Sequence, residues 1–350
     1  MDFLTDKDQI TDKKSIFSVK NILIIGGAGF IGSHLCDELI KKSRVICLDN
    51  FSSGDEKNID HLLSEPNFKF IRHDICEPIR LEDFNELKPF DVAIQGIQEI
   101  YNLACPTSPK EFENYKLATI HANSLGIKNS LDMALKYKAK YLHFSSSVVY
   151  GPRRPDNKKM SETDIGAVDQ LSPRACYDES KRFAETMIDN YRSQAGVDAK
   201  IIRLFRIYGP RMKMADGQMI PDMIAAALDN RDLEIFGDKD FTSSFCYVSD
   251  CIDAVLKIME KKIDGPVNVG SDIEINLTEL AKKIIALIGS KSEVVYKDKL
   301  LFYSPLSLPN IDKARESLGW LPIVTMEKGL EKTIYELRAS KGLVGFQQSV

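Results

Sequence analysis

Short apolar segments recur along the chain, and segments with a helical spacing of apolar residues lie between them. The apolar segments are of strand length, which is typical of buried parallel strands. The predicted strands cover residues 22–25, 45–48, 68–71, 97–103, 141–144 and 200–205. The predicted helices between them are centred on residues 34–41, 121–137 and 179–193. This alternation of strand and helix predicts an α/β fold with a doubly wound parallel sheet.

The pattern changes beyond Tyr208. Glycine, proline and methionine interrupt residues 209–220. Amphipathic helices are then predicted near residues 223–228, 277–288 and 326–337. The C-terminal third therefore predicts a smaller domain whose elements fold back against the sheet, and residues 241–256 are expected to rejoin the first domain.

The composition excludes several classes of protein. The chain of 350 residues has a formal net charge of −4 and no stripe of Lys and Arg interleaved with aromatic residues, so no nucleic-acid partner is expected. Its longest apolar runs are of strand length and its N-terminus is polar, so we expect neither a membrane segment nor a secretory signal. Seven cysteines without a CxxC pair fit a reduced, cytoplasmic protein. Five histidines without ligand spacing predict no metal site.

A glycine-rich turn follows the first predicted strand. Residues 25–32 read Ile-Gly-Gly-Ala-Gly-Phe-Ile-Gly, and an amphipathic helix follows them. Gly26 permits the tight turn, Gly29 lets the backbone approach a pyrophosphate, and Gly32 lets the helix pack closely on the strand. The second strand ends in Asp49, close to the spacing at which an acid binds the adenosine ribose. These features predict a Rossmann-type dinucleotide site; a glycine-rich turn without a ligand is the alternative.

A candidate catalytic pair, Tyr177 and Lys181, forms a Tyr-x-x-x-Lys motif on a predicted helix. The spacing puts both side chains on one helix face, one turn apart. A nearby ammonium group, together with an oxidised nicotinamide, would lower the pKa of the phenol from about 10 towards the range of a working base. A serine cluster at residues 145–147 follows a predicted strand, at the edge of the sheet where ligands bind. On its own the motif is also common on surface helices.

Taken together, these motifs resemble the extended short-chain dehydrogenase/reductases of the nucleotide-sugar epimerase/dehydratase type. The resemblance covers nearly everything from residue 20 to about residue 337, and within the family the chain is most similar to UDP-glucuronate decarboxylases. The matching stretches are residues 26–32, 49–54, 102–104, 145–151, 177–181 and 208–211 for the family, and 104–109, 173–179, 208–212 and 244–250 for the decarboxylases.

The resemblance implies roles for individual residues. Tyr177 would take the proton from the 4-hydroxyl of the sugar, Ser146 would hydrogen-bond the same oxygen, and Lys181 would hold the nicotinamide ribose. A carboxylate at Asp49 repels a 2′-phosphate, so the expected cofactor is NAD rather than NADP. The residues expected to bind NAD are Gly26, Gly29, Phe30, Ile31, Gly32, Asp49, Asn50, Ser53, Gly54, Asp74, Ile75, Leu103, Ala104, Asn123, Tyr177 and Lys181. The residues expected to bind a nucleotide-diphosphate sugar are Ser147, Arg206 and Arg211.

The resemblance also completes the predicted organisation. Relatives commonly pair as homodimers through two helices, here about residues 117–137 and 177–193, so a homodimer is expected. The predicted parts are a polar N-terminal extension (1–19), an NAD-binding Rossmann domain (20–205, rejoined by 241–256), a smaller, mainly substrate-binding α/β domain (206–340) and a tail (341–350).

Four positions depart from the pattern of the relatives. The decarboxylases carry a glutamate, implicated in the loss of CO2, where this chain has Val148. The 4,6-dehydratases need an Asp-Glu pair where this chain has Ser147 and Val148. Ser243 stands in place of an arginine that contacts the sugar nucleotide, and Arg206 in place of an asparagine. Arg206 could bind the diphosphate or form a salt bridge between the domains.

These departures decide which reaction the sequence favours. Valine cannot transfer a proton, whereas oxidation at C4 requires only Ser146, Tyr177 and Lys181. The favoured interpretation is an NAD-dependent enzyme that oxidises the C4 hydroxyl of a nucleotide sugar, acting as a 4-epimerase or 4-dehydrogenase. The alternatives are a UDP-glucuronate decarboxylase (UDP-xylose synthase) and a 4,6-dehydratase. A non-catalytic NAD(H)-binding protein is a further hypothesis, disfavoured because all three catalytic side chains are present.

Overall fold

A computed structural model describes residues 19–109, 112–156, 158–237, 239–298 and 306–347 of the chain. The predicted N-terminal extension lies outside the described residues except for its last residue. Residues 348–350 of the predicted tail lie outside them as well.

Strands and helices alternate through the described residues. The strands are β1 (Asn21–Ile25), β2 (Arg44–Asp49), β3 (Phe68–Arg72), β4 (Glu99–Asn102), β5 (Lys140–Ser146), β6 (Ala199–Leu204), β7 (Ile207–Tyr208), β8 (Leu233–Phe236), β9 (Thr242–Ser243), β10 (Cys246–Tyr247), β11 (Pro266–Val269), β12 (Ile275–Asn276) and β13 (Val294–Lys297). The helices are α1 (Phe30–Leu39), α2 (Val92–Gln95), α3 (Phe112–Ala122), α4 (Leu125–Tyr137), α5 (Ala175–Ala195), α6 (Met219–Leu228), α7 (Val248–Glu260), α8 (Leu277–Ile288), α9 (Asp312–Leu318) and α10 (Met326–Gln347).

A parallel sheet of seven strands forms the centre of the described structure, in the order β3-β2-β1-β4-β5-β6-β11. The strand order reverses at β1, which pairs with β2 on one side and with β4 on the other. This reversal opens a crevice at the carboxyl ends of β1 and β4, where doubly wound sheets bind their ligands. The predicted α/β fold with a doubly wound parallel sheet is confirmed.

Both faces of the sheet are covered, and the strands are apolar on both sides for that reason. In β1, Ile22 and Ile24 join one hydrophobic core and Leu23 and Ile25 join the other. All four side chains are at most 1% exposed. Such two-sided burial explains why the strands read as continuous apolar runs rather than as alternating patterns.

Residues 248–269 add elements to the central layers from far along the chain. Helix α7 packs on α1, β5 and β6, and β11 pairs with β6 at the sheet edge. Strand β11 was not predicted, because its sequence, Pro-Val-Asn-Val, is too short and too polar to stand out as a buried strand. The domain boundaries themselves stay predictions.

The helical pattern at residues 121–137 corresponds to the end of α3 and the whole of α4. The two helices are separated at Ser124, whose backbone is non-helical (φ −123°, ψ −76°). The Ser124 hydroxyl donates to the carbonyl oxygen of Ile120 at 2.7 Å, a local bond that competes with the helical backbone pattern. Periodicity alone does not reveal such a break.

The C-terminal part combines helices with two-stranded sheets. Helix α6 packs on α8 and α10, and the strand pairs β8–β13 and β9–β12 flank them. Among the described residues, no helix combines the length and apolar character needed to cross a bilayer.

Candidate active site

A cavity of about 590 Å³ lies at the carboxyl edge of the central sheet, at the reversal of strand order. Most of the residues predicted to bind cofactor or substrate line it. They are Gly26, Gly29, Phe30, Ile31, Gly32, Asp49, Asn50, Ser53, Asp74, Ile75, Leu103, Ala104, Ser146, Ser147, Tyr177, Lys181, Arg206 and Arg211.

Two predicted cofactor residues lie behind the cavity wall. A Cβ atom at Gly54 would be 3.1 Å from the carboxylate oxygens of Asp49, so glycine leaves room for that side chain. Asn123 is fully buried, and its amide nitrogen donates to Cys105 Sγ and to Ser180 Oγ, each at 3.0 Å. Asn123 therefore contacts the cavity wall rather than the cavity.

The glycine turn brings the backbone to the cavity and orients the first turn of α1. A Cβ atom at Gly26 would lie 2.8 Å from the backbone nitrogen of Ala104, and one at Gly32 would collide with the carbonyl oxygen of Gly26. Gly29 occupies the N-cap position of α1 without a side-chain cap. Backbone N–H groups at such a helix end, and the positive end of the helix dipole, suit a phosphate.

A carboxylate at the end of β2 is held by backbone donors. Asp49 accepts hydrogen bonds from the N–H groups of Ala28 at 3.0 Å and Phe51 at 2.8 Å. Burial raises the pKa of Asp49, and these donors oppose the rise. Next to it, the Asn50 amide donates to Asp74 at 3.1 Å and thereby joins the ends of β2 and β3 along the same wall.

The predicted catalytic pair lies across the cavity from the glycine turn. Burial raises the pKa of Tyr177, while a hydrogen bond with Ser146 and the charge of Arg174 oppose the rise. Tyr177 lies on α5 and Ser146 ends β5, so this bond joins the helix to the strand end. The two hydroxyl groups are therefore placed to contact one substrate oxygen.

Lys181 lies one helical turn beyond Tyr177 and is only 3% exposed. Its ammonium group donates to the carbonyl oxygen of Phe144 at 2.7 Å and is 6.0 Å from the centre of the Tyr177 ring. Burial lowers the pKa of Lys181, whereas Cys105 and Glu185 oppose the shift. A buried positive charge so close to the phenol favours its ionised form.

The opposite end of the cavity is formed by loops. Ser147 and Val148 are buried in a short 3₁₀ turn after β5, and Val148 presents an apolar side chain to the cavity. Arg206 also lines this end and adopts a left-handed backbone conformation (φ 42°). Ser243 is 2% exposed in β9 and is not among the residues lining the cavity.

Two arginines at this end of the cavity form ion pairs with carboxylates. The Arg211 guanidinium donates to Asp37 at 2.7 Å, and its backbone N–H donates to Glu336, also at 2.7 Å. Arg174, which sequence reasoning did not single out, lines the cavity and pairs with Asp178 at 3.1 Å. The Nη2 atom of Arg211 is thus paired with a carboxylate, whereas its buried Nη1 atom has no hydrogen-bond partner among the described residues. Part of the guanidinium is therefore already paired and is not available to a diphosphate.

Other lining residues were also missed. Cys105 stands beside Lys181 and accepts the hydrogen bond from Asn123, and Lys213 lies near enough to Asp49 to lower its pKa. Both residues lie in irregular segments, where periodicity gives no signal. Among the described residues, no group of three or more His, Cys, Asp or Glu side chains could hold a metal ion.

A doubly wound sheet with a glycine turn at its strand reversal defines a dinucleotide-binding protein. Comparison with known proteins narrows this class. Residues 22–270 match the model of the NAD dependent epimerase/dehydratase family. The chain therefore belongs to that family, and it is an enzyme that uses NAD as its cofactor. The uncapped first turn of α1 and the carboxylate of Asp49 have the chemistry to bind the phosphates and a ribose of NAD.

Curated relatives agree with this assignment. The chain is 37% identical to UDP-glucuronic acid decarboxylase 1 of Xenopus tropicalis over 337 residues, which are 96% of this chain and 74% of that protein. It is 38% identical to UDP-glucuronic acid decarboxylase 3 of Arabidopsis thaliana over 311 residues, which are 88% of this chain and 86% of that protein.

Solved structures of similar proteins include C4 epimerases. UDP-glucose 4-epimerase of Thermotoga maritima, solved with UDP-glucose, superposes with a TM-score of 0.79 at 27% identity and covers 92% of this chain and 99% of that one. UDP-glucuronic acid 4-epimerase of Bacillus cereus, solved with UDP-glucuronic acid and NAD, has a TM-score of 0.78 at 26% identity and covers 91% and 99%. The chain is thus similar to enzymes that act on nucleotide sugars.

Proposed function

We propose that this protein oxidises C4 of UDP-glucuronate and releases the C6 carboxylate as CO2. The observation that carries the proposal is the convergence of Ser146, Tyr177 and Lys181 on the cavity that begins at the glycine turn. The choice of substrate is supported by the decarboxylases at 37–38% identity along most of the chain.

In this proposal each of the three residues has one task. Tyr177 accepts the proton of the 4-hydroxyl, and Ser146 donates a hydrogen bond to the same oxygen. Lys181 holds a positive charge beside the phenol. This charge, together with that of the nicotinamide of bound NAD, would oppose the rise in the pKa of Tyr177 caused by burial and favour the ionised form that acts as the base. The glycine turn and Asp49 would hold NAD, which would supply the hydride acceptor for the oxidation of C4 and the hydride donor for the later reduction.

The keto group itself promotes the loss of CO2. A ketone at C4 is β to the carboxylate at C6, so the electrons of the breaking C5–C6 bond pass into the C4 carbonyl and leave an enolate. Tyr177 and Ser146, which face the C4 oxygen in this proposal, stabilise that enolate by hydrogen bonds. Because no base is needed for this step, Val148 does not prevent decarboxylation. C5 must afterwards gain a proton, and because Val148 cannot supply it, the proton comes from water in this proposal.

The second candidate is the 4-epimerase or 4-dehydrogenase favoured by the sequence. Val148 is the observation in its favour, because epimerisation needs no proton transfer at C5. The comparisons support the decarboxylase better, since the similar curated proteins carry that activity in their names. The hypothesis of a non-catalytic NAD(H)-binding protein is disfavoured because these relatives are named as enzymes.

Product analysis after incubation with UDP-glucuronate and NAD tests the proposal. The expected products are CO2 and a UDP-pentose, identified by mass spectrometry and by NMR of the sugar protons. UDP-galacturonate as the sole product would establish the epimerase instead. Parallel incubations with UDP-glucose and UDP-N-acetylglucosamine serve as controls, and turnover of these sugars alone would overturn the choice of substrate.

We also propose that Arg206 contributes to binding the diphosphate of the substrate. Its support is its place in the cavity wall, where a guanidinium can pair with phosphate oxygens. An Arg206→Lys variant keeps the charge but loses the two-pronged geometry of a guanidinium, so KM for the sugar nucleotide should rise while NAD affinity stays unchanged. Unchanged KM would favour the structural role for Arg206.

The homodimer remains a proposal with support from two packed helices. Leu117 on α3 is 70% exposed and Phe183 on α5 is 50% exposed. In contrast, Leu131 and Ile188 are fully buried in the core of the chain itself. A Leu117→Lys/Phe183→Glu variant should convert a dimer into a monomer in light scattering. A wild-type protein that elutes as a monomer at high concentration would rule out this assembly.

A further inference from the structure

A buried ion pair lies one helical turn beyond Lys181 on the catalytic helix. Arg203 of β6 binds Glu185 of α5 through two nitrogens, with Nη2 at 2.6 Å and Nε at 2.9 Å from the carboxylate oxygens. Both side chains are almost buried, at 12% and 13% exposure. Two-pronged pairing of this kind fixes orientation as well as charge.

The pair is connected to the strand end that carries Ser146. Ser145 Oγ donates to Glu185 Oε1 at 2.5 Å, so the carboxylate joins α5 to β5 directly before the catalytic serine. The Lys181 ammonium makes a second bond between the same two elements through the carbonyl oxygen of Phe144. Helix α5 and the end of β5 are therefore tied together at two successive turns.

Arg203 extends these contacts to a third part of the molecule. Its Nη1 atom donates to Tyr150 Oη at 2.7 Å, and Tyr150 donates in turn to Asn268 Oδ1 at 2.8 Å on β11. The Asn268 N–H group donates to Glu162 at 2.8 Å. The pair thus anchors the catalytic helix to the sheet edge and to the loop that follows the serine cluster.

We propose that Glu185 and Arg203 are positioning residues for the C4 oxidation. Their ion pair holds Tyr177 and Lys181 against the end of β5. Because the two charges are opposite, their effects on the ionisation of the Tyr177 phenol cancel. The inference rests on the proposed function for the identity of the reaction, whereas the contacts of the pair are observed in the structure.

Other charged and titratable groups also face the catalytic side chains. Cys105, from the segment after β4, and His143 of β5 face Lys181, together with Glu185. Cys105 also faces Tyr177, as do Arg174 at the N-cap of α5 and Asp178 within α5. Lys313 and Glu162 lie on the far side of Arg203. Among these groups, only the Glu185–Arg203 pair combines two opposite charges with a hydrogen bond that joins α5 to β5, the bond from Ser145 to Glu185.

Neutralising one partner leaves the charge of the other uncompensated, so the two single variants should act in opposite directions. Glu185→Gln leaves a positive charge near the site and should favour the phenolate. Arg203→Gln leaves a negative charge and should oppose it. Tyr177 and Glu185 are eight residues apart, or about 12 Å along the helix. At that distance a unit charge shifts a titration by about one pH unit.

The test is the pH profile of C4 oxidation for the two variants and the double variant. Glu185→Gln should move the acidic limb of the activity profile to a pH about one unit lower. Arg203→Gln should move it to a pH about one unit higher, and the double variant should lie near the wild type. Lys257→Gln, which breaks an exposed pair with Asp253 of 2.7 Å on α7, should leave the limb in place. Shifts in the same direction, or none, would overturn the proposal, since a merely structural role does not produce opposite signs.

A second readout keeps the inference separate from the proposed function. Tyrosinate absorbance, titrated with pH and compared with Tyr177→Phe, measures ionisation of the phenol without any sugar. The same opposite shifts are expected there, even if UDP-glucuronate is not the substrate. Where a single variant does not fold, Arg203→Lys and Glu185→Asp replace it. These should lower kcat at unchanged KM, and an unchanged kcat would contradict the positioning role.

Discussion

The two ends of the active-site cavity are built in different ways. The cofactor end is formed by β1, β2 and the first turn of α1, which brings uncapped backbone N–H groups to the cavity. The substrate end is formed by loops, and residues 206–217 contain three non-glycine residues in the left-handed region: Arg206 (φ 42°), Arg211 (φ 68°) and Ala215 (φ 61°). Each such residue is strained by about 1–2 kcal/mol, and contacts such as Arg211–Asp37 hold the loop in place.

The two ends therefore differ in how strongly the backbone restricts the choice of residue. At the cofactor end, a methyl group added at Gly26 or Gly32 has no room, so the sequence is constrained by backbone geometry. At the substrate end, side chains such as Val148 and Arg206 can change without disturbing a strand or helix. Binding of NAD is therefore constrained by the backbone, whereas in the proposed reaction the fate of the 4-keto sugar depends on a few side chains.

The largest effect is expected at the junction of the two ends, for Tyr177→Phe. The variant keeps the ring but removes the phenolic oxygen that, as phenolate, accepts the proton in the proposed mechanism, so kcat should fall by about 10³-fold. Affinity for NAD, measured by calorimetry, should change little, because the variant loses one of the expected contacts with the cofactor and leaves the glycine turn and Asp49 in place. Retained activity would show that another group serves as the base.

The next effect is expected at the substrate end, for Val148→Glu compared with Val148→Gln. Both variants place a polar group of similar size at a position that is 2% exposed, but only glutamate can transfer a proton. If protonation at C5 limits the cycle, UDP-pentose formation should be up to about 10²-fold faster with glutamate. Equal rates for the two variants would show that valine does not limit this step.

A smaller effect is expected at the cofactor end, for Gly32→Ala. The added methyl group collides with the carbonyl oxygen of Gly26 and should lower the free energy of unfolding by about 1–3 kcal/mol. NAD affinity should fall at the same time because the turn must shift. Gly342→Ala is the control, since a Cβ atom there meets no other atom within 4 Å. Equal stability of both variants would show that the turn can relax.

The smallest effect concerns His143, buried in β5 beneath Lys181. Burial, aided by the charge of Lys181, lowers the pKa of His143 well below 6.5, and neither ring nitrogen has a hydrogen-bond partner within the described part of the chain. Below pH 6.5 the unfolded chain therefore binds a proton that the folded chain does not. This histidine destabilises the fold by up to about 1.4 kcal/mol for each further pH unit of acidification.

His143→Leu should remove this contribution. Between pH 6.5 and pH 5, denaturant titrations should show a shallower loss of stability for the variant than for the wild type. Above pH 7 the difference in unfolding free energy between the two proteins should be constant. Parallel curves across the acidic range would mean that His143 is protonated in the folded protein.

The sequence was sufficient to predict six of the seven strands of the central sheet and the glycine turn after the first of them. Buried strands and the glycine turn are local patterns, and Tyr177 and Lys181 are four residues apart on one helix. The Glu185–Arg203 pair could not be predicted, because it depends on the register that places Ser145 opposite Arg203 in β5 and β6. The pairing of Arg211 with Asp37 also joins residues far apart in sequence, and no sequence motif predicts it.

The most direct test of the account follows the hydrogen at C4. UDP-glucuronate carrying deuterium at C4 is incubated with the enzyme, and the UDP-sugar products are analysed by mass spectrometry and NMR. The account predicts loss of CO2 with the deuterium retained at C4, because the hydride is given up and returned within one cycle. Deuterium lost to water, or a pentose formed without passage through a 4-ketone, would contradict it.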